Sequence, residues 1–301
     1  MRKVTSQDMV LRWVGFRPVT LFLSKIRSVL LRLYLFIFAT PSMQGFNDII
    51  LSAALRARGY KNCCDFIKTG EAHFIRRLAE FSPKYCIDVG ANRGQYSEFL
   101  LRHTDANVLA FEPLGKAFSS LEQLRERFSS RFVAFNYGIG LKTEMLEIRF
   151  SSEDSETASF SREVNFSPAL KVANAYSRQV MVYSLDDYFE SQSKFDLDSL
   201  DLIKIDTEGF EYEVLSGAQR TIERLRPKFI QIEFNWHQLF RRHTLLSIHE
   251  LLRGYCVYQL LPYDGGMVFR DPNLPESNFY CYANFIFVRD DLRAEVDRIF
   301  S

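Results

Sequence analysis

Asp88-Val89-Gly90-Ala91-Asn92-Arg93-Gly94 sets a carboxylate ahead of two glycines that frame a tight turn, directly after the apolar run Tyr85-Cys86-Ile87. Gly90 has no side chain, which leaves room for a flat ligand against the backbone. A helix opening near Gly94 would present unpaired N–H donors beside it. Further along, the run Asn107–Phe111 ends in Glu112, whose carboxylate could accept two hydrogen bonds from a ribose diol. A second stretch, Lys204-Ile205-Asp206-Thr207-Glu208-Gly209, leads to Glu233, Asn235 and His237, an acidic rim with one imidazole. Asp206, Glu208 and His237 are the candidates for taking or orienting the proton of a hydroxyl nucleophile, with Lys204 and Glu233 as acceptor-binding groups. A positioned base contributes roughly 10²–10⁴-fold to such a reaction, and alignment of the reacting atoms about 7–11 kcal/mol at best. The structural alternatives are Asp206 as a helix N-cap, Glu208 as a first-turn dipole partner, and His237 as a packing histidine. Asp186 reads as the cap of a helix through Phe189. His73, His103, His243 and His249 have no partner at informative spacing, and no metal site is expected.

The turn at Gly90 discriminates between cofactors. A dinucleotide site wants G-x-G-x-x-G so that the backbone can hug a pyrophosphate, but Asn92 and Gln95 occupy the second and third glycine places. Asp88 would also bring negative charge to that pyrophosphate. S-adenosylmethionine carries a sulfonium and an ammonium and welcomes a carboxylate, so it is the expected cofactor. An NAD-linked oxidoreductase and an inactive binding subunit are the alternatives.

The elements that must position these groups alternate. Strands are expected at 84–89, 107–112, 131–136, 145–150, 179–184, 201–206, 228–234, 255–261 and 283–288, and helices at 74–81, 94–103, 114–128, 210–225 and 245–253. Such alternation means a mostly parallel sheet with helices on both faces. Residues 151–178 hold seven serines without a convincing period, a long loop or lid. The last two strands, joined through Asp264-Gly265-Gly266, suit an antiparallel hairpin at the sheet edge.

Composition sets the outer limits. With 301 residues, 47% apolar and 25% charged, the chain is globular rather than disordered. Its net charge of +1 gives no reason to expect nucleic acid as a partner. Residues 1–40, however, carry Arg2, Lys3, Arg12, Arg17, Lys25, Arg27 and Arg32 against Asp8 alone. Residues 18–39 are apolar but interrupted by Lys25, Arg27 and Arg32; the charge-free piece Leu33–Ala39 is far short of the roughly 20 residues of a span. A helix with Lys25, Ser28 and Arg32 on one stripe fits either an anionic bilayer surface or a protein partner, the body or a second copy. Pro41 and Gly45 mark a break before a helix over 46–58. The five cysteines, two of them the adjacent Cys63 and Cys64, do not pair off, which points to a reducing compartment with Cys86 and Cys281 as core residues of strands.

Taken together, DVGANRGQYS, AFEP, LIKIDTEGFEYEVLSGA and RPKFIQIE resemble the signature blocks of FkbM-type methyltransferases over roughly residues 60–290. The resemblance implies a class I, Rossmann-like fold: a seven-stranded, mostly parallel sheet with an antiparallel edge strand and helices on both faces. It implies S-adenosylmethionine-dependent O-methylation, with a sugar or other polyhydroxylated small molecule as acceptor. Asp88, Gly90, Asn92 and Gly94 would lie along the methionine and ribose, Glu112 on the ribose hydroxyls, and the block from Asn136 to Gly140 beside the adenine. The organisation expected is a basic arm (1–41), a helical extension (42–82) and a methyltransferase domain (83–301) containing the 151–178 lid. The setting expected is cytoplasmic, membrane-associated through the arm.

Overall fold

Short apolar runs bounded by proline, glycine or charge become the central strands of a sheet buried on both faces, as parallel strands require. They are β1 (Tyr85–Val89), β2 (Asn107–Phe111), β3 (Phe132–Phe135), β7 (Leu202–Ile205) and β8 (Phe229–Phe234), all mutually parallel in the order β3-β2-β1-β7-β8. The structure, a computed structural model, describes residues 17–62, 65–191 and 197–300, with side chains from residue 27 onward. Arg2, Lys3, Asp8, Arg12, Cys63 and Cys64, and the side chains of Arg17 and Lys25, lie outside the described residues.

The sheet continues through β11 (Ala283–Arg289), β9 (Tyr255–Leu260) and β10 (Met267–Phe269), eight strands in all. This is the helix-covered, class I arrangement expected from sequence, with two corrections. The eighth strand is β10: the turn at Pro262–Gly266 folds the chain back on β9, with Leu261 N–H donating to the Gly266 carbonyl. The antiparallel edge strand is there, β10 against β9, but it is not the only antiparallel one: β11 lies between β8 and β9, antiparallel to both.

Because alternate strand residues face opposite sides, the sheet divides two cores. Ile87, Val89, Phe111, Ile203, Ile205, Ile230 and Ile232 pack against Leu185, Val214, Ile222 and Ile248. Cys86, Val108, Ala110, Leu202 and Phe229 pack against Phe74, Leu100, Leu121 and Val296. The expected strands at 145–150 and 179–184 form a separate three-stranded sheet, β5 (Glu144–Phe150) and β6 (Tyr176–Tyr183) with the short β4 (Gly138–Ile139). The helix expected over 210–225 is two, Glu211–Ser216 and Gln219–Leu225. They part at Gly217, where a Cβ would stand 2.1 Å from the Gly140 carbonyl oxygen. Asp186 does not cap its own helix: its carboxylate accepts from the Arg220 and Thr221 N–H groups and caps the second of that pair. Cys281, half-buried, precedes β11 rather than lying in a strand, whereas Cys86 is buried in β1.

The chain divides into two compact units, Met1–Ala54 and Leu55–Ser301. In the first, the helix Arg17–Phe38 is followed by a single 3₁₀ turn at Pro41–Met43 and the helix Gln44–Ala57, so Gly45 lies inside a helix rather than at the break. Asn47 holds the corner, donating to the Phe38 carbonyl and accepting from the Tyr34 hydroxyl.

Candidate active site at the carboxyl edge of the sheet

Parallel pairing of β1, β2, β3, β7 and β8 puts the residue that follows each strand on one edge, where ligands gather in open α/β sheets. Gly90, Glu112, Asn136, Asp206 and Asn235 occupy those five places. The stitching between turns is direct: Asp206 N–H donates to the Val89 carbonyl at 3.0 Å, and Gly90 N–H to the Phe111 carbonyl at 3.0 Å. Gly90 has φ +78°, and a Cβ there would lie 1.8 Å from the Asp206 carbonyl oxygen. Glycine is thus required for the first-strand turn to press against the Asp206 turn, a reason the sequence did not show. Gly94 likewise yields to Leu121 and Leu124 of the helix Gly115–Arg127.

On the first-strand side, Asp88 is fully buried, and its Oδ2 accepts from the Ser97 hydroxyl at 2.6 Å. Its Oδ1 has no hydrogen-bond partner; the nearest cation is Lys204, at 3.9 Å. Burial holds the Asp88 carboxyl above its ordinary pKa, against the pull of Lys204. Glu112 is also buried; its two oxygens accept from the Asn92 N–H at 2.9 Å and the Leu114 N–H at 2.8 Å. Burial outweighs those two donors and pushes its pKa up to about 7. Each Glu112 oxygen keeps a further lone pair. Asn136 donates to the Glu112 carbonyl at 2.9 Å, tying the third turn to the second. Asn92, at φ +48°, donates through its side chain to the Ser155 carbonyl, so the serine-rich segment covers this end of the crevice.

On the side of the second turn, Lys204 lies in register with Asp88 and turns onto the buried sheet face, not into the crevice. Its ammonium is 3.0 Å from Asp206 and 5.0 Å from the centre of the Tyr96 ring. Burial opposes its charge, but Asp206, Asp88 and Glu71 prevail and keep it protonated. Asp206 and Glu208 sit in the turn ahead of a helix whose first residue is Glu211, so neither is its cap. Glu208 has φ +53°, a left-handed conformation that surrounding contacts must hold in a residue other than glycine, and Gly209 follows at φ +96°. Those contacts come from Glu211, a residue the sequence reading passed over. One Glu211 oxygen accepts from Thr207 N–H, Thr207 hydroxyl and Gly209 N–H, the other from the Gln238 side chain at 2.7 Å. Its only signal in sequence was an acid in the first turn of a helix; burial raises its pKa to about 7. From the serine-rich segment, the Ser159 hydroxyl donates to the Glu208 carbonyl at 2.6 Å.

Glu233, one residue from the end of β8, and His237, in the helix Trp236–Arg241, complete the rim, both buried. His237 Nδ1 comes within 3.2 Å of Glu208 Oε2, yet lacks hydrogen-bond geometry and remains without a partner. Burial lowers the His237 pKa to about 4. It also raises Glu208 and Glu233 well above the usual carboxylate range, reinforced in both by Asp206. Asn235 caps that helix, accepting from His237 N–H at 2.7 Å, and its amide donates to Glu233. Glu208, Glu233 and His237 each offer one donor atom, and these lie within 4.8 Å of one another. The other histidines are engaged elsewhere: His249 with the Tyr255 carbonyl, His243 stacked on Tyr212, His103 near the Phe99 carbonyl and His73 near Asp264.

The sequence profile of the Methyltransferase FkbM domain matches residues 88–260. Hexuronic acid methyltransferase AglP of Haloferax volcanii is 26% identical over 172 residues, 54% of this chain and 62% of that protein. Methyltransferase 1 of Beauveria bassiana is 26% identical over 160 residues, 48% of this chain and 64% of that protein. The chain thus spans less than two thirds of these curated relatives. Among solved structures, an FkbM methyltransferase from Methylobacillus flagellatus has a TM-score of 0.42 at 18% identity, covering 68% of this chain and 44% of that one.

Proposed function

The chain belongs to the FkbM methyltransferase family, and from that premise we propose that it is an S-adenosylmethionine-dependent O-methyltransferase acting on a hydroxyl of a sugar or other polyhydroxylated small molecule. The observation that carries this reading is the close packing of Gly90 on Asp206, which makes the first-strand turn and the acidic turn neighbours on one edge. The residues fit the cofactor. Asp88 Oδ1 is a buried acceptor without a partner, suited to a cationic group. Glu112 has lone pairs left for ribose hydroxyls. Asn92 and Gly94 complete that wall, and Asn136 braces it. When bound, the cofactor supplies an electrophilic methyl carbon.

The chain's own residues do the rest. Asp206, held at one oxygen by Lys204, keeps the other for the acceptor hydroxyl and takes or orients its proton. Glu208, protonated more readily than a surface glutamate, holds a hydrogen bond to the acceptor. His237, kept neutral, offers Nδ1 as a further acceptor. Glu233 sets the polarity of the mouth, and Lys204, turned inward, acts on it only through Asp206. The name of the Haloferax volcanii relative supports a sugar acceptor. The exposed apolar residues of 29–51, beside Arg27 and Arg32, support contact of the N-terminal unit with an anionic bilayer surface.

The test is a thermal-shift titration with S-adenosylhomocysteine and with NAD. A ligand of the native state stabilises by about 2.7 kcal/mol at 100-fold excess over its Kd. Stabilisation by S-adenosylhomocysteine is the expected result; a shift with NAD alone would overturn the reading.

A further inference from the structure

Glu208, Glu233 and His237 carry a second role. We propose that they form a binding site for a divalent transition ion of the manganese or zinc kind, at the acceptor mouth. The trio combines two carboxylates and one imidazole from separate elements, the turn after β7, the end of β8 and the helix that follows it. Ligands about 2.1 Å from an ion stand roughly 3–3.5 Å apart; small side-chain rotations bring donors now within 4.8 Å to that spacing.

His237 Nδ1 is the independent indication. The side chain is 5% exposed, and Nδ1 has no hydrogen-bond partner although Glu208 Oε2 lies 3.2 Å away. Buried polar atoms are rarely left so. A neutral imidazole nitrogen facing two carboxylates is the donor arrangement of a metal site. The outer contacts are those that fix metal ligands. The Asn235 amide donates to Glu233, Asn235 also caps the helix that carries His237, and Ser159 and Glu211 hold the Glu208 turn. Imidazole with carboxylates favours manganese or zinc over magnesium. The use of the ion rests on the reading above: coordinated by the trio, it would bind the acceptor oxygen and lower the pKa of its hydroxyl.

The ion itself is tested without turnover. Full-length protein, treated with EDTA and dialysed, is titrated with manganese(II) and followed by electron paramagnetic resonance, with zinc(II) in competition. One ion per chain is expected, displaced by zinc, with electron spin-echo modulation from a ligated imidazole nitrogen. Glu233→Gln and His237→Gln should each weaken binding at least about tenfold, and His237→Gln should abolish the nitrogen modulation. Absence of binding, or binding without nitrogen modulation, overturns the proposal even if neither variant folds. So does unchanged affinity in both variants. S-adenosylhomocysteine binding, measured on the same sample, separates the two readings: retained with no metal bound, it sinks only the metal site; lost with metal bound, it sinks the methyltransferase reading instead.

Discussion

Glu112 is buried and Glu208 half-buried, and their surroundings ask different things of them. Glu112 is tied by two backbone N–H groups at the first-strand turn, so Glu112→Ala should weaken S-adenosylhomocysteine binding at least about tenfold by calorimetry, about 1.4 kcal/mol. Glu208 faces the acceptor mouth; Glu208→Gln should leave that binding within about twofold and lower kcat at least about tenfold. Equal loss of both would refute the division of labour. Titration follows from the same burial. Glu112 and Glu211 have pKa values pushed up to about 7 from 4.5, so the native chain keeps protons that the unfolded chain releases. Their stabilisation is present below about pH 4.5 and fades as pH rises through 7. His237 works oppositely: lowered from 6.5 to about 4, it stabilises above 6.5 and less as pH falls. Because the carboxyls raised by burial, Asp88, Glu208 and Glu233 among them, outnumber the lowered imidazoles His73, His237 and His243, the melting temperature of the ligand-free protein should fall between about pH 5 and 7, and Glu211→Gln should flatten that slope. A melting temperature that rises across the interval would contradict it. At this scale the rim carboxylates were legible because they follow apolar strands, whereas Glu211 was not: a first-turn acid is a common dipole partner, and its three donors come from a strained turn no local pattern announces.

The elements meet through backbone contacts that tolerate no extra atoms. Gly90→Ala would set a Cβ against the Asp206 carbonyl at positive φ, and should cost at least about 2 kcal/mol in urea denaturation. The serine-rich segment is bound to the site rather than merely near it. Ser159, Ser161 and Val164 are buried, and Gly209 leaves room for Val164 and His237 together. Ser159→Ala should therefore cost about 1 kcal/mol and also lower kcat, with S-adenosylhomocysteine affinity unchanged; a pure stability effect would make the hydroxyl structural only. The strands were legible from their apolar runs, but their partition was not. Those at 144–150 and 176–183 carry charged and polar residues such as Glu144, Glu147, Arg149, Arg178 and Gln179 between their apolar ones, which suits a sheet with one open face, but no local signal says that they leave the central sheet.

Across the whole molecule, polar residues share one sheet face between the two ends of the site: Asp88, Lys204, Gln231 and Glu233, with Tyr96 donating to Gln231 at 2.6 Å and Gln231 to Glu71 at 2.8 Å. Satisfied everywhere but at Asp88 Oδ1, this network fixes a single arrangement of the site floor. The N-terminal unit is a different kind of surface. No single helix among the described residues is long and apolar enough to cross a membrane; Arg27–Phe38 and Pro41–Ala57, bent by 99°, pass that test only as a pair. Vesicle flotation of the full chain should depend on anionic lipid and fall with Arg27→Glu plus Arg32→Glu; equal binding to neutral vesicles would refute an electrostatic contribution. Sequence alone determined the alternating fold, the glycine turn after β1 and the acidic rim, because apolar period, glycine and strand-end carboxylates are local signals read within a few residues. Only the tertiary structure decided that Gly90 serves a neighbouring backbone, that Lys204 faces inward, and that Glu208, Glu233 and His237 converge. Those outcomes depend on register and on side chains meeting across several strands, distances that one-dimensional spacing does not contain.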